Sequence, residues 1–147
     1  MAPAIAHFLL GASLALLVAT PIALRFRLPA WVPLWLVAVG GIWGLVPDVH
    51  HVAPLSESQL YAFHNTQWAD LFAFHYTLDA PAVRARHDAS VFWSIALFLV
   101  ASALFTIAGV ANARTAVGET PAPHLLALAT ASIPGLLFVA ATVGIPF

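Results

Sequence analysis

The sequence predicts an all-α integral membrane protein: a bundle of about four transmembrane helices, with an amphipathic helix in the long loop between spans two and three. Composition supports this class, because 62% of the 147 residues are hydrophobic and only 7% are charged. A soluble domain carries roughly a quarter charged residues, so this chain could not cover its surface in water. Four apolar stretches then set the number of spans, since about 20 apolar residues cross the hydrocarbon core.

The four stretches are predicted to form one membrane domain over residues 1–147. They cover about residues 4–24, 29–46, 90–110 and 125–145. The first lacks a basic leader and ends in Arg25 and Arg27, so we interpret it as a retained helix and not as a signal peptide. Near the ends of the second stand three tryptophans, residues that favour the membrane interface, namely Trp31, Trp35 and Trp43.

Residues 48–88 form the long polar segment between spans two and three. Its middle, residues 56–78, has the pattern of an amphipathic helix. His64 and His75 lie eleven residues apart in it, and eleven steps of 100° return to within about 20° of the starting direction. The two histidines are therefore predicted to share one face of that helix.

The positions of the arginines predict the orientation. Arg25 and Arg27 lie between spans one and two, and Arg114 lies between spans three and four, so these two loops share one side. The polar segment on the other side contains Arg84 and Arg86. Because arginine-rich loops stay in the cytoplasm, we expect a multi-pass cell-membrane protein with the polar segment and both termini on the outer face.

Several functions are excluded or disfavoured by composition. The chain has no cysteine, which excludes disulfides, thiolate metal sites and cysteine nucleophiles. Lysine is also absent, and a net charge of −1 provides no basic field for nucleic acid. No acidic residue, arginine or histidine lies in the middle of a predicted span, where coupled transporters place such groups. Abundant alanine without lysine or cysteine is typical of a prokaryotic source.

The predicted topology brings histidines and aspartates to one membrane face. His7 begins span one, residues 48–51 follow span two, and residues 87–88 precede span three, whereas His124 falls on the opposite face. Imidazole and carboxylate ligands from several helices are typical of metal centres in helix bundles. The predicted ligands of a divalent metal, zinc first and iron or manganese as alternatives, are His7, Asp48, His51 and His87.

Other polar residues of the same face have predicted roles near that metal. His50 or Asp88 is the candidate general base, since a base must lie within hydrogen-bond reach of the attacking water. His64 and His75 are further candidate ligands. Each of these residues also has an ordinary interpretation as a surface or helix-capping group, and their shared depth in the membrane is what favours a site.

Two short sequence elements match a family pattern. His7-Phe-Leu-Leu-Gly11 is similar to a His-x3-Gly element in a first helix, and Val46-Pro47-Asp48-Val49-His50-His51 is similar to Leu-Pro-Asp-x-Asp-His after a second helix. On these residues the chain resembles the small polytopic inner-membrane-associated proteins of bacteria and archaea described as metal-dependent hydrolases. The resemblance implies that Asp48 and His51 are that family's first acid and its histidine, with His50 in place of the second acid.

The third element of that family, His-Arg-Gly-x-Thr-His, is half present. His87-Asp88-Ala89-Ser90 occupies its place, but Phe92 stands where the second histidine belongs. Either His64 or His75 supplies the missing ligand, or the chain has kept the fold without the activity. The resemblance covers about residues 1–95.

Three functions follow from these observations. The first is a membrane-embedded metal-dependent hydrolase acting on a phosphoester or a lipid-linked substrate. The second is a non-catalytic membrane subunit that docks a partner protein or lipid through residues 48–88, where aromatic residues are frequent. The third is a haem-binding carrier, since paired histidines in a bundle can ligate haem.

Overall fold

A computed structural model describes residues 3–53 and 56–116. Within these ranges the chain is all-helical, and three helices are long and apolar enough to cross a membrane. The three are α1 (Ala4–Arg25), α2 (Val32–Leu45) and α6 (His87–Ala116). A 3-10 helix, Val46–His51, prolongs α2. The predicted fourth span, about residues 125–145, and His124 lie outside the described residues.

Helix α1 is the centre of the described bundle, because it packs against both α2 and α6. Leu16 and Leu17 of α1 meet Phe105 of α6 in a core that is otherwise mostly alanine. Near the far end, the Asn112 side-chain amide donates a hydrogen bond of 3.1 Å to the Ala23 carbonyl. Since both residues lie late in their helices, α6 runs parallel to α1, whereas α2 runs antiparallel to it.

The outer surface of these helices is apolar. More than half of each of the following side chains is exposed: Val18, Leu34, Trp35, Ile42 and Leu99. Such a continuous apolar surface is unfavourable in water and is stable against lipid chains. The exposed side chains therefore agree with three helices that cross a membrane.

Three glycines bring α1 and α2 together at backbone distance. A methyl group on Gly11 would overlap the carbonyl oxygen of Gly40, and one on Gly44 would overlap the carbonyl oxygen of His7. Small residues at a membrane helix interface permit this approach and allow extensive van der Waals contact. The first turn of α1 consequently lies directly beside the last turn of α2.

The single amphipathic helix predicted over residues 56–78 is not present. The segment instead contains α3 (Glu57–His64), a 3-10 helix (Gln67–Leu71) and α4 (His75–Leu78), followed by α5 (Pro81–Arg84). The helices are short because the chain reverses between them, and reversal lets polar side chains from separate turns meet.

The sharpest of these reversals is just before α4. Ala73 and Phe74 both have a positive φ, 56° and 57°, which side-chain-bearing residues rarely adopt. The Asp70 carboxylate closes the turn by accepting hydrogen bonds from the Thr77 backbone N–H at 2.8 Å and the Thr77 hydroxyl at 2.7 Å. We call this pair of hydrogen bonds the Asp70 clamp. His75 lies between Asp70 and Thr77 in the sequence, so the closed turn sets its position.

Candidate metal centre

Five imidazole and carboxylate side chains converge where α1 begins and α2 ends. They come from five places in the chain: His7 in α1, Asp48 in the 3-10 helix, His64 at the end of α3, His75 in α4 and Asp79 just after α4. His7 and His75 are fully buried, and His64 is 5% exposed. Buried titratable groups at this density need partners, because burying a charged or polar group alone is costly.

Three of the converging atoms have the spacing of tetrahedral metal ligands. His75 Nε2 is 3.2 Å from His64 Nδ1 and 3.3 Å from Asp48 Oδ1. His64 Nδ1 and Asp48 Oδ1 are 3.6 Å apart. Tetrahedral zinc, with bonds of about 2.0–2.1 Å, places its ligand atoms about 3.3–3.4 Å apart. The triangle therefore matches a metal site at nearly its present dimensions.

Contacts on the outer side of this triangle orient the two imidazole rings. His75 Nδ1–H donates to the Gly44 carbonyl at 3.1 Å, since a carbonyl can only accept. His64 Nε2 lies 3.0 Å from Asp79 Oδ2. Between the two rings, His75 Nε2 and His64 Nδ1 share a hydrogen bond at 3.2 Å, so one of these nitrogens carries a proton in the absence of a metal.

A divalent ion bound among the three inner atoms would take the place of that proton, because metal binding releases protons from its ligands. The outer contacts are those found at metal-bound histidines, which donate their second N–H to a carboxylate or a backbone carbonyl. The residues present therefore fit a divalent metal ion.

Several buried polar atoms at the cluster have no hydrogen-bond partner within the described part of the chain. They are both ring nitrogens of His7, Oδ1 of Asp48 and Nε2 of His50. A buried polar group left without a hydrogen bond costs about 1–3 kcal/mol. The His7 ring instead stacks on His75, with 3.8 Å between the ring centroids. Coordination of a metal by Asp48 Oδ1 and by one nitrogen of His7 would satisfy the lone pairs of those atoms.

The ligand atoms form three overlapping groups, and within each group all atoms lie within 4.8 Å of one another. The groups are His7, Asp48 and His75; His64, His75 and Asp79; and Asp48, His50 and His51. Asp48 belongs to the first and third of these groups, and His75 belongs to the first and second. These two residues are therefore the centre of the candidate site.

Electrostatics at His64 favours the neutral ring. Burial lowers the pKa of His64, the neighbouring His75 lowers it further, and the carboxylates of Asp79 and Asp48 partly oppose both effects. A neutral imidazole is the form that binds metals, because protons compete with the ion for the same lone pair. His64 is thus in its ligand form at neutral pH.

A cavity of about 330 Å³ opens beside the cluster. His64 and Asp79 belong to its wall, so two residues of the cluster are accessible to a small molecule. The other lining residues are Tyr61, Asn65, Tyr76, Ala80, Pro81 and Arg84.

The structure brings together some of the predicted site residues and not others. His7, Asp48, His64 and His75 are in the cluster, and His50 lies at its edge, 4.7 Å from His64 between ring centroids. His51 shares a ligand group with Asp48 but is exposed.

His87 and Asp88, the predicted ligand and candidate base before span three, lie apart from these groups. Both are exposed in the first turn of α6, and within the described ranges no group of ligand atoms includes either of them. The short helix α5 and the turn after it separate the start of α6 from Asp79.

Asp79 is a site residue that the sequence analysis did not single out. It follows His75 by four positions, and residues at i and i+4 share one face of a helical turn. That His-x3-Asp spacing is the signal that could have identified it.

The likeness to metal-dependent hydrolases rests on the short sequence elements alone. Comparison with family models, curated proteins and solved structures finds no match. The structure nevertheless gives the His7-x3-Gly11 element a physical role. Its histidine belongs to the cluster, and its glycine lets α2 approach.

Proposed function

We propose that this chain is a membrane-embedded metal-dependent hydrolase acting on a phosphoester or a lipid-linked substrate. The observation that supports this function is the convergence of candidate ligand atoms from His64, His75 and Asp48 beside an accessible cavity. Zinc is the proposed ion, because nitrogen and oxygen ligands at tetrahedral spacing suit it, and iron or manganese are the alternatives.

Asp48, His64 and His75 are the proposed ligands at the present spacing, and His7 is the proposed fourth ligand after a small shift. A bound divalent ion supplies Lewis-acid chemistry and lowers the pKa of a coordinated water. The protein itself orients two of the ligands: the Gly44 carbonyl orients the His75 ring, and the Asp79 carboxylate orients the His64 ring.

Asp79 is the proposed general base. Its carboxylate lines the cavity and lies 3.6 Å from His7 Nε2 as well as beside His64. A group at this position is within reach of both the ligand cluster and a molecule in the cavity, which is what proton abstraction from an attacking water requires.

Metal content tests the site directly. Detergent-purified wild type is compared with Asp48→Asn, His75→Ala and the control His87→Ala by inductively coupled plasma mass spectrometry. We expect about one or two divalent ions per chain in the wild type and the control, and a large loss in the two cluster variants. Equal metal content in His75→Ala and wild type contradicts the proposed site.

Activity tests the chemistry. Wild-type protein is assayed on a chromogenic phosphoester and on a phosphorylated lipid, before and after chelation. The proposed function requires hydrolysis that chelation removes and added zinc restores. A metal-replete protein that hydrolyses neither phosphoesters nor lipid-linked substrates contradicts it.

A second candidate is a non-catalytic subunit that docks a partner protein or lipid. The observation favouring it is the exposure of apolar side chains in the segment before α4, where Trp68 is 69% and Leu71 is 63% exposed. Stoichiometric co-purification of a partner with metal-free protein would favour this function. A haem carrier is not favoured, because haem needs its two imidazoles on opposite faces, whereas those of His64 and His75 are in direct contact.

A further inference from the structure

We propose that the cavity beside the cluster binds the terminal phosphate of a phosphomonoester, and that Arg84 is the side chain contacting the phosphate oxygens. This inference rests on the proposed hydrolase function and narrows its substrate class. Arg84 is the residue with a permanent positive charge among those that line the cavity.

The charge of Arg84 is available to a ligand. Its side chain is exposed, and the ion pairs found within the described ranges join histidines to Asp48 and Asp79. A guanidinium presents a planar fork of N–H donors that matches two phosphate oxygens at once. An arginine in the wall of a cavity that also contains candidate metal-site residues is therefore suited to hold a phosphate next to the metal.

Neutral hydrogen-bond donors supplement the arginine. Tyr61, Tyr76 and Asn65 are among the lining residues, and their phenol and amide groups are hydrogen-bond donors. One N–H of that amide donates to the Tyr61 carbonyl at 2.8 Å, which anchors Asn65 and leaves its second N–H for a ligand. The wall thus combines one cation with several donors, the usual composition of an oxyanion site.

The negative charge of Asp79 repels an anionic ligand less than a carboxylate without neighbouring imidazoles would. His64 Nε2 lies 3.0 Å from one oxygen and His7 Nε2 lies 3.6 Å from the other, so imidazole N–H groups can offset it. A metal held by the neighbouring ligands adds further positive charge. The local field near Arg84 is therefore favourable to phosphate.

The size of the cavity favours a terminal phosphate. A volume of about 330 Å³ is near the lower end of the range for small-molecule sites, about 300–1,000 Å³. Such a space encloses a phosphate and the first atoms of its ester, and it leaves the remainder outside. Both a lipid headgroup ending in phosphate and a soluble phosphomonoester present this chemistry.

Inorganic phosphate is the binding probe, measured by calorimetry on metal-replete protein in detergent. The variants are Arg84→Gln and the matched control Arg86→Gln, since Arg86 is also exposed but does not line the cavity. We expect Arg84→Gln to weaken phosphate binding by about ten- to hundredfold, the range for losing hydrogen bonds to a charged group, and Arg86→Gln to leave it unchanged. Arg84→Lys, which retains the charge without the fork, should fall between wild type and Arg84→Gln.

Metal analysis of the same samples separates this inference from the proposed function. Unchanged phosphate affinity in metal-replete Arg84→Gln, or no phosphate binding by metal-replete wild type, overturns the phosphate site while the hydrolase proposal stands. A different result is a wild type that contains no metal and binds phosphate, with weaker binding in Arg84→Gln. That result overturns the hydrolase proposal and supports the phosphate site. Competition by phosphatidic acid in nanodiscs, compared with a soluble phosphomonoester, identifies the source of the phosphate.

Discussion

Gly44 links helix packing to the candidate metal centre at the scale of one residue. Its lack of a side chain admits the His7 carbonyl, and its own carbonyl accepts the hydrogen bond from His75 Nδ1. One peptide unit therefore sets both the distance between α1 and α2 and the tautomer of a proposed ligand. A change at this residue should affect stability and metal binding together.

We expect Gly44→Ala to destabilise the protein by about 1–3 kcal/mol, the usual cost of overpacking a close contact, and to lower its metal content. Thermal unfolding followed by tryptophan fluorescence measures the first effect, and mass spectrometry measures the second. Gly109→Ala is the matched control, because a methyl group there meets nothing within 4 Å. Equal melting temperatures for the two variants would contradict the close packing of α1 on α2.

At the scale of elements, the site depends on a turn more than on a long helix. His64 and His75 meet at 3.2 Å, whereas on the single helix predicted for them eleven residues would separate them by about 16 Å. They can meet because they belong to α3 and α4, with a reversal between the two helices. The left-handed residues Ala73 and Phe74 make that reversal, and the Asp70 clamp on Thr77 holds it. The energetic cost of the left-handed turn is offset by these two charge-assisted hydrogen bonds.

Removal of the clamp should open the turn. We expect Asp70→Ala to lower stability by about 2–4 kcal/mol, since two hydrogen bonds to a charged group are lost, and to reduce metal binding through His75. Thr77→Ala removes the hydroxyl bond alone and should show a smaller loss of both. Metal content at the wild-type level in a folded Asp70→Ala protein would show that the turn does not position His75.

At the scale of the whole molecule, the described bundle has the candidate metal centre at one end and an interhelical hydrogen bond at the other. Helix α1 holds the cluster at its first turn and the bond from Asn112 to Ala23 near its last. The beginning of α1, the end of α2 and the polar segment lie at one end of the bundle, where the cavity opens. The assignment of that end to the outer face of the membrane stays a prediction.

Loss of the interhelical bond at the other end should therefore spare the metal. We expect Asn112→Ala to destabilise the protein by about 0.6–1.7 kcal/mol, the range for hydrogen bonds between membrane helices, with unchanged metal content. Denaturation in mixed detergent micelles measures the stability. Thr106→Ala is the control, because the Thr106 hydroxyl bonds within its own helix to Ser102. A parallel loss of metal in Asn112→Ala would show that the two ends are coupled.

The sequence by itself determined the all-helical class, the three described helices that are long and apolar enough to cross a membrane, and the end of the bundle where polar residues gather. These are local properties, because the length of an apolar run decides whether a helix can cross the bilayer, whatever its neighbours. The same local reasoning placed His7 and Asp48 at one depth, since both stand at ends of apolar runs.

Tertiary structure alone decided which residues of that end form the cluster. Asp79 joins it and His87 does not, because the reversal at Ala73 and Phe74 and the glycine contact of α1 with α2 set the distances. Periodicity within a segment carries no information on how two segments fold against each other. Convergence of ligand atoms to within about 3.3 Å depends on such non-local contacts, and these arise only when the chain has folded.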